Sequence, residues 1–339
     1  MKSRLNMKMG VMFALVIAVL CFGKQICSAA TTDTRINLNT ECNGTLSGKD
    51  YNLYSFEITD SNQGYINISF SANALYDLRN GYDIYLYDSK YNEIASDTYV
   101  YQGDLINYAT LSPGIYYLKI APNRASYEDL SGVPYTFEVK FVTSDTWEKE
   151  DNGTADTANT IEAGKEYSGS CLNFDDYDVY ELKVTGYKKV SIELVLDNIK
   201  FSYGNGFETE IFNKKMESLY DKKWIDSSVK SDTLILAPGT YYFRIRVTQE
   251  FGNKPYNTPY SFAVSSKSYN VNVKFNSCGG SSVKTLSVVA GNKVKTLNSP
   301  TRKGYAFIGW YTKKSGGTKV TASTTIKSST TLYAHWNKK

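Results

Sequence analysis

The sequence predicts an all-β protein made of two tandem antiparallel β-sandwiches and a small third module. Three observations lead to this prediction. Among 339 residues there are 29 tyrosines and only 7 prolines, which favours strands over helical bundles. Short runs alternate between apolar and polar residues and are bounded by turn residues, and no long segment has the 3.6-residue period of an amphipathic helix. Part of the sequence also recurs about 125 residues later.

The first thirty residues are typical of a secretory signal peptide. Three basic residues, at positions 2, 4 and 8, precede an apolar run at 9–22, and small residues occupy positions 28–30. The apolar run is short for a transmembrane helix. We therefore expect residues 1–30 to be removed and the mature protein to be secreted. No second apolar stretch follows, so we expect no membrane span after cleavage.

The next part of the chain is a duplication. Three segments recur in the same order at nearly the same offset: 51–56 with 177–182, 112–120 with 237–245, and 132–139 with 257–264. Each copy exceeds one hundred residues, which is long enough for a domain of its own. The sequence therefore predicts one sandwich at 31–144 and a second at 145–266.

Alternation along the repeated strand separates a core face from a solvent face. In the second copy Tyr241, Phe243, Ile245 and Val247 would face the core. The other face is predicted to bind ligand through exposed tyrosines and basic residues, namely Tyr117 and Lys119 in the first copy and Tyr242, Arg244 and Arg246 in the second. The alternative is that tyrosine, a good strand residue, merely covers the sheet.

Four motifs of the second copy carry a family resemblance: 147–153 (WEKEDNG), 175–180 (DDYDVY), 236–242 (LAPGTYY) and 259–262 (PYSF). Together they resemble the bacterial pre-peptidase C-terminal domain, a family that includes the collagen-binding domains of clostridial collagenases. The resemblance implies a jelly-roll sandwich of the kind appended to secreted enzymes and surface proteins. It covers residues 33–143 less completely, because the acidic motif is missing there.

Two acidic segments of the second copy predict a calcium site. Calcium takes six to eight oxygen ligands, several of them carboxylates. Three candidate ligands alternate along one extended segment: Glu148, Glu150 and Asn152. Two more, Asp175 and Asp178, lie near the start of a later strand, and Asp176 could replace Asp175. The resemblance implies the same site, since some family members bind calcium there. The alternative is a solvated acidic linker. The first copy lacks the first segment, so we expect no equivalent site in it.

The third module, 267–339, has a different composition from the rest. It holds 13 Lys and Arg and no acidic residue, whereas residues 31–266 hold 34 acidic and 21 basic residues. Such a module would bind an anionic cell-wall polymer such as teichoic acid. The alternatives are that its lysines only keep the module soluble, or that they attract the acidic residues at 31–266. No nucleic-acid-binding motif occurs, so no nucleic-acid partner is expected.

Motifs in the third module also carry a resemblance. The Gly279-Gly280 turn, residues 300–311 (PTRKGYAFIGWY) and 332–336 (LYAHW) look like the internalin-B-type B repeat, a β-grasp-like module of bacterial surface proteins. The resemblance implies an interaction module of the cell envelope. Trp310 and Trp336 are expected to close its core.

The sequence argues against most catalytic chemistries. His335 is the single histidine, so a Ser-His-Asp or Cys-His triad would have to use it, and a zinc site with two imidazoles is excluded. Cys42, Cys171 and Cys278 are expected to be free thiols. We therefore expect a secreted non-catalytic binding or adhesion protein of the bacterial surface or extracellular space, with a protein or polysaccharide partner. The alternatives are a carbohydrate-binding accessory protein, a carboxylate-based glycoside hydrolase, and a non-catalytic relative of a larger secreted protease.

Overall fold

The structure is a computed structural model. It describes residues 25–26, 33–47, 50–59, 63–72, 81–104, 106, 109–124, 126, 129–172, 176–196, 205–225, 227–249 and 258–339. Apart from residues 25–26, the predicted signal peptide at 1–30 lies outside the described residues. Every regular element in the described ranges is a strand. Within those ranges we find no helical segment with the length and hydropathy needed to cross a bilayer.

The first sandwich consists of two five-stranded sheets. One sheet has the order β2-β4-β9-β6-β7 and the other the order β1-β3-β10-β5-β8. The strands are β1 Gln25–Ile26, β2 Thr34–Arg35, β3 Glu41–Thr45, β4 Asn52–Ile58, β5 Gly64–Ser71, β6 Tyr82–Tyr87, β7 Glu93–Val100, β8 Gln102–Asp104, β9 Gly114–Pro122 and β10 Pro134–Thr143.

The second sandwich repeats this topology. Its sheets have the orders β11-β13-β19-β15-β16 and β12-β20-β14-β17, with β18 also paired to β14. The strands are β11 Asn159–Ile161, β12 Glu166–Cys171, β13 Asp178–Val184, β14 Lys188–Val195, β15 Asn205–Asn213, β16 Ser218–Ile225, β17 Val229–Lys230, β18 Leu234–Leu236, β19 Gly239–Gln249 and β20 Thr258–Ser268. Each main strand of one copy therefore has a counterpart in the other.

Both cores follow the alternation predicted from sequence. Ile84 and Leu86 on β6 are fully buried in the first core. Phe243, Ile245 and Val247 on β19 are buried in the second core. Successive side chains of a strand point to opposite faces, so the apolar residues of each run lie between the two sheets. The other face of β9 and β19 is left to carry the residues predicted to bind ligand.

The third module is a single five-stranded sheet in the order β22-β21-β25-β23-β24. Its strands are β21 Asn270–Asn276, β22 Leu286–Val289, β23 Tyr305–Tyr311, β24 Lys319–Val320 and β25 Thr330–Lys338. The first and last strands of the module, β21 and β25, pair in parallel. Trp310 is buried and Trp336 packs half-buried against the same core, as expected. The predicted all-β fold with tandem sandwiches is thus confirmed.

Candidate functional site

The segment joining the two sandwiches is held by side chains of the first one. The Trp147 ring packs on Tyr65 with 4.2 Å between centroids. Its indole Nε1 donates to Thr110 Oγ1 at 2.7 Å, and its carbonyl accepts from Gln63 Nε2 at 2.9 Å. Glu148 N then donates to the Ser168 carbonyl on β12 at 2.8 Å. These contacts place the acidic residues that follow Trp147 beside the start of β13.

Glu148 is buried and lies among several hydrogen-bonding groups. Its side chain is 1% exposed. Oε1 accepts from Thr110 Oγ1 at 2.9 Å and from Ser170 N at 2.6 Å. Oε2 lies 3.2 Å from the Tyr180 hydroxyl and 3.0 Å from the Tyr260 hydroxyl, whose single proton is shared with Asp178 Oδ2 at 2.5 Å. Donors from both sandwiches therefore orient this one carboxylate.

Three buried oxygen atoms beside Glu148 have no hydrogen-bond partner among the described residues: Glu150 Oε1, Asn152 Oδ1 and Asp178 Oδ1. Asn152 and Asp178 are both 0% exposed. One carboxylate oxygen each from Glu148, Glu150 and Asp178 lies within 4.8 Å of the other two. Since an unpaired buried oxygen costs free energy, an oxygen-ligated cation would stabilise this group of residues.

Asp176 lies next to this cluster. Its Oδ2 accepts from Leu172 N at 2.6 Å. It lines a cavity of about 320 Å³ together with Glu150 and Asp151 from the second sandwich and Ser112 and Tyr116 from the first. Asp175, the other predicted ligand of this segment, lies outside the described residues. Among the described residues, the second segment therefore contributes two acidic residues, Asp176 and Asp178.

Burial raises the pKa of each of the four carboxyl groups of the cluster, and repulsion by neighbouring carboxylates adds to it for three of them. Burial is the main cause of the raised pKa of Glu148. Burial, followed by repulsion from the Glu148 charge, raises the pKa of Glu150 and of Asp178. The same two causes raise the pKa of Asp176 to about 7. No lysine or arginine is among the main groups that act on these four pKa values. A bound divalent cation would remove this penalty by favouring the charged form of all four groups.

The predicted ligand face of the second sandwich needs correction. Tyr242 was expected to face solvent, but it is buried beneath Ala155 and Ala158 and packs against Val179 and Phe212. Its position on the outer face was right. The error arose because the chain between β10 and β11 folds back over that face, which strand periodicity does not reveal.

Arg244 and Arg246 lie on the same face but are engaged in ion pairs. Arg244 Nε donates to Glu210 Oε2 at 2.8 Å. Arg246 donates to Glu208, a carboxylate with a side chain only 2% exposed, and its Nη1 donates to Tyr177 Oη at 3.1 Å. The two arginines therefore neutralise buried and half-buried acids of their own sheet and are only partly accessible.

The matching face of the first sandwich is more open. Tyr117 is half-buried and stacks on Tyr91 with 4.6 Å between ring centroids. The Lys119 Nζ lies 4.6 Å from the ring centroid of Tyr51 and 5.2 Å from that of Tyr85. The exposed fractions of Tyr91 and Tyr51 are 57% and 43%. Both predicted residues of this copy therefore belong to a face of partly exposed tyrosines.

In the third module the aromatic residues of the final strands also hold basic and polar groups. The Arg302 guanidinium lies 3.8 Å from the Tyr305 ring centroid, and its Nη1 donates to the Cys278 carbonyl at 3.1 Å. His335 stacks on Tyr311 with 3.9 Å between centroids. The motif residues of the module thus lie on one sheet or on the turns beside it.

Residues 272–335 match the family model of the Listeria-Bacteroides repeat domain. The matched range includes β23, most of β21 and β25, and the Gly279-Gly280 turn. The narrower prediction of an internalin-B-type B repeat stays a prediction. No curated protein matches the chain.

Solved structures resemble the sandwiches only weakly. The pre-peptidase C-terminal domain of a collagenase from Bacillus anthracis is 19% identical, covers 32% of this chain and 94% of its own, and has a TM-score of 0.26. The tandem CBM22 domains of Xyn10C from Paenibacillus barcinonensis are 10% identical over 63% of this chain and 82% of theirs, with a TM-score of 0.20. The M60 and CBM51 domains of ZmpB from Clostridium perfringens are 10% identical, cover 64% of this chain and 34% of theirs, and have a TM-score of 0.19. At such scores they support no inference about a ligand.

Several residues of the acidic site were not predicted. Tyr180 and Tyr260 donate to it from two different sheets, and Thr110 donates to it from the other sandwich. The two tyrosines fall in the segments that recur between the copies, so their repetition was the available signal. Thr110 had none, because its role depends on how the two copies meet.

Proposed function

We propose that this chain is a secreted, non-catalytic binding protein of the bacterial surface or extracellular space. The observation that carries the proposal is the burial of the acidic cluster. Glu148 and Asp178 are 1% and 0% exposed. A carboxylate that acts as general acid or nucleophile in glycoside hydrolysis must reach the substrate, whereas a carboxylate that holds a structural cation is best buried. The geometry therefore favours a cation site over the hydrolase alternative.

Calcium is the cation that this donor set fits. All the candidate ligand atoms are carboxylate or amide oxygens, and hard divalent cations prefer oxygen ligands. Glu148, Glu150, Asn152, Asp176 and Asp178 would hold the ion, and it would supply the positive charge that the cluster lacks. Since Glu148 is also bonded to Thr110 of the first sandwich, the ion would stabilise the contact between the two copies.

We further propose that the third module attaches the protein to an anionic polymer of the cell envelope. It carries 13 basic and no acidic residues. Its lysines are mostly exposed, including Lys274, Lys293, Lys313 and Lys327. Binding to a polyanion would release condensed counterions, so it would weaken steeply as salt rises.

Co-sedimentation tests this function. Residues 31–339 would be mixed with insoluble collagen, chitin, cellulose and purified Gram-positive wall, each with calcium and with chelator, at low and high salt. We expect salt-sensitive pelleting with the wall, and pelleting with one other polymer that weakens when calcium is removed. The matched control lacks residues 267–339 and should lose only the wall binding. Failure to pellet with any polymer would contradict the proposal.

A further inference from the structure

The two copies differ at one place on their equivalent outer faces. Opposite Asp83 on β6 the first sandwich has Ala121 on β9, whereas opposite Glu208 on β15 the second has Arg246 on β19. At the next pair of positions on the same outer face, the first sandwich has Tyr85 opposite Lys119, and the second has Glu210 opposite Arg244. The second copy thus fills this place with two arginine–glutamate pairs, and the first copy does not.

The small Ala121 side chain leaves a groove of about 480 Å³ in the first sandwich. That volume lies within the range of small-molecule sites. Tyr51, which is 43% exposed, and Tyr85, which is half-buried, both line the groove. Lys119 sits between these rings, 4.6 and 5.2 Å from their centroids. The groove therefore combines two aromatic surfaces with a cation.

Polar groups converge on the same groove. Asp83 is 8% exposed, and its Oδ1 accepts from Asn123 Nδ2 at 2.5 Å and from Tyr99 N at 3.1 Å. Its Oδ2 accepts from Tyr85 Oη at 3.4 Å. Arg124 and Asp129 line the rim and are exposed. Two acidic and two basic side chains thus surround the groove, and their formal charges cancel.

We propose that this groove binds a neutral saccharide unit. A sugar ring packs an apolar C–H face on an aromatic ring and presents hydroxyls at its edge, which both donate and accept hydrogen bonds. The exposed tyrosine supplies the platform, and the carboxylate, amide and basic groups supply partners for the hydroxyls. The balance of charges favours a neutral sugar over an anionic one. The inference rests on the proposed binding function and names the ligand class of its first sandwich.

The groove can be closed by copying the second sandwich. In Ala121→Arg the new side chain would lie opposite Asp83, as Arg246 lies opposite Glu208. Tyr51→Ala removes the platform from an exposed position and leaves the core intact. Tyr91→Ala is the matched control, because Tyr91 is an exposed tyrosine of the same sandwich that does not line the groove.

Calorimetric titration of residues 31–339 with cellohexaose, xylohexaose and chitohexaose tests the proposal. We expect one of these probes to bind, and Ala121→Arg and Tyr51→Ala each to weaken it about tenfold or more, which is about 1.4 kcal/mol. Tyr91→Ala should leave the affinity unchanged. Equal losses in Tyr51→Ala and Tyr91→Ala would overturn the groove assignment in favour of the whole tyrosine face.

A parallel titration uses a triple-helical Gly-Pro-Hyp repeat peptide. If this peptide binds and no oligosaccharide does, the saccharide inference is wrong while the binding function stands. If neither class of probe binds and co-sedimentation is also negative, both proposals fail. Binding of an oligosaccharide that survives Ala121→Arg would place the sugar site elsewhere and overturn the inference.

Discussion

Asn52 in the first sandwich and Asp178 in the second occupy equivalent strand positions, and an amide in one copy replaces a carboxylate in the other. Asn52 begins β4 opposite Ile120, and Asp178 begins β13 opposite Ile245. Both side chains are buried, at 3% and 0% exposure. The same position therefore carries an amide where no acidic segment exists and a carboxyl group where one does.

Each of these side chains meets a pair of hydrogen-bonded tyrosines. In the first copy the hydroxyls of Tyr54 and Tyr135 are 2.8 Å apart, and Asn52 Nδ2 donates to Tyr135 Oη at 2.5 Å and to the Thr45 carbonyl at 2.9 Å. In the second copy Asp178 Oδ2 instead accepts from Tyr260 Oη at 2.5 Å. The amide completes its network with its own protons, whereas the carboxylate leaves Oδ1 without a partner.

Asp178→Asn should abolish the stabilisation by calcium. The substitution removes a buried charge from the proposed site and copies the arrangement of Asn52. At a calcium concentration about one hundred times its dissociation constant, the wild-type protein should gain about 2.7 kcal/mol of stability, and the variant should gain none. Thermal unfolding of calcium-stripped protein with and without added calcium measures this. An unchanged calcium effect in Asp178→Asn would contradict the assignment.

The reciprocal change, Asn52→Asp, should behave in the opposite way. It places a carboxylate in a buried site that lacks the other acidic residues of a cation site. We expect the free energy of unfolding to fall by roughly 3 kcal/mol, with no recovery on adding calcium. Chemical denaturation measures the loss. A stable variant, or one rescued by calcium, would show that the two positions are not equivalent.

The calcium effect should grow with pH. Burial, together with neighbouring carboxylates, raises the pKa of Glu150 and Asp178, and that of Asp176 to about 7. Without the cation, a carboxyl group with a raised pKa contributes stability below its unfolded pKa of about 4, and this is lost as pH rises through the folded value. Calcium binds the ionised form. The increase in melting temperature on adding calcium should therefore be larger at about pH 7.5 than at about pH 5. An equal or larger increase at the lower pH would argue against these groups as ligands.

Thr110→Val should weaken both the contact between the sandwiches and the cation site. Thr110 Oγ1 donates to Glu148 Oε1 and accepts from Trp147 Nε1. Valine keeps the shape but removes the hydroxyl that accepts from the buried indole N–H, at a cost of about 2 kcal/mol. Calcium affinity should fall about tenfold, since Glu148 loses an orienting donor. Thr143→Val, at an exposed position near the junction, is the control. Equal effects of the two variants on both quantities would contradict this role.

Arg246→Met should destabilise the second sandwich much more than Lys119→Met destabilises the first. Glu208 is 2% exposed and pairs with Arg246 and with Lys223, whose Nζ lies 3.1 Å from Oε1. Burial alone would raise the pKa of Glu208, but these two partners outweigh it and lower the pKa. Removing one partner of a buried ion pair should cost about 2–3 kcal/mol, whereas Lys119→Met should cost less than about 0.5 kcal/mol. Urea denaturation at neutral pH compares the two, and similar losses would contradict the assigned difference.

Much of the fold follows from local pattern. The alternation in β9 and β19 predicts which residues enter the core because side chains of a strand point to opposite faces. The recurrence of segments predicts two copies, and the observed strand orders repeat in the same way. The acidic residues Glu148, Glu150, Asn152 and Asp178, expected from two separate segments, do meet in one cluster. The sequence could suggest this convergence because the first acidic segment precedes β11 and the second leads into β13.

The features that the sequence did not predict depend on contacts between segments that are distant in the chain. The burial of Tyr242 requires knowing that Ala155 and Ala158 fold over it. The pairing of Arg246 with Glu208 requires the register of two strands that are far apart in sequence. The contribution of Thr110 requires the packing of one sandwich on the other. No periodicity within a single segment contains this information.

Calcium binding to the stripped protein is the most direct test of the central claim, that the acidic cluster of the second sandwich is a structural cation site. Isothermal titration of calcium into residues 31–339 measures it, with Asp178→Asn as the matched variant. We expect one ion per chain in the wild-type protein and no binding to the variant. Absence of binding to the wild-type protein, or equal binding to both, would contradict the account.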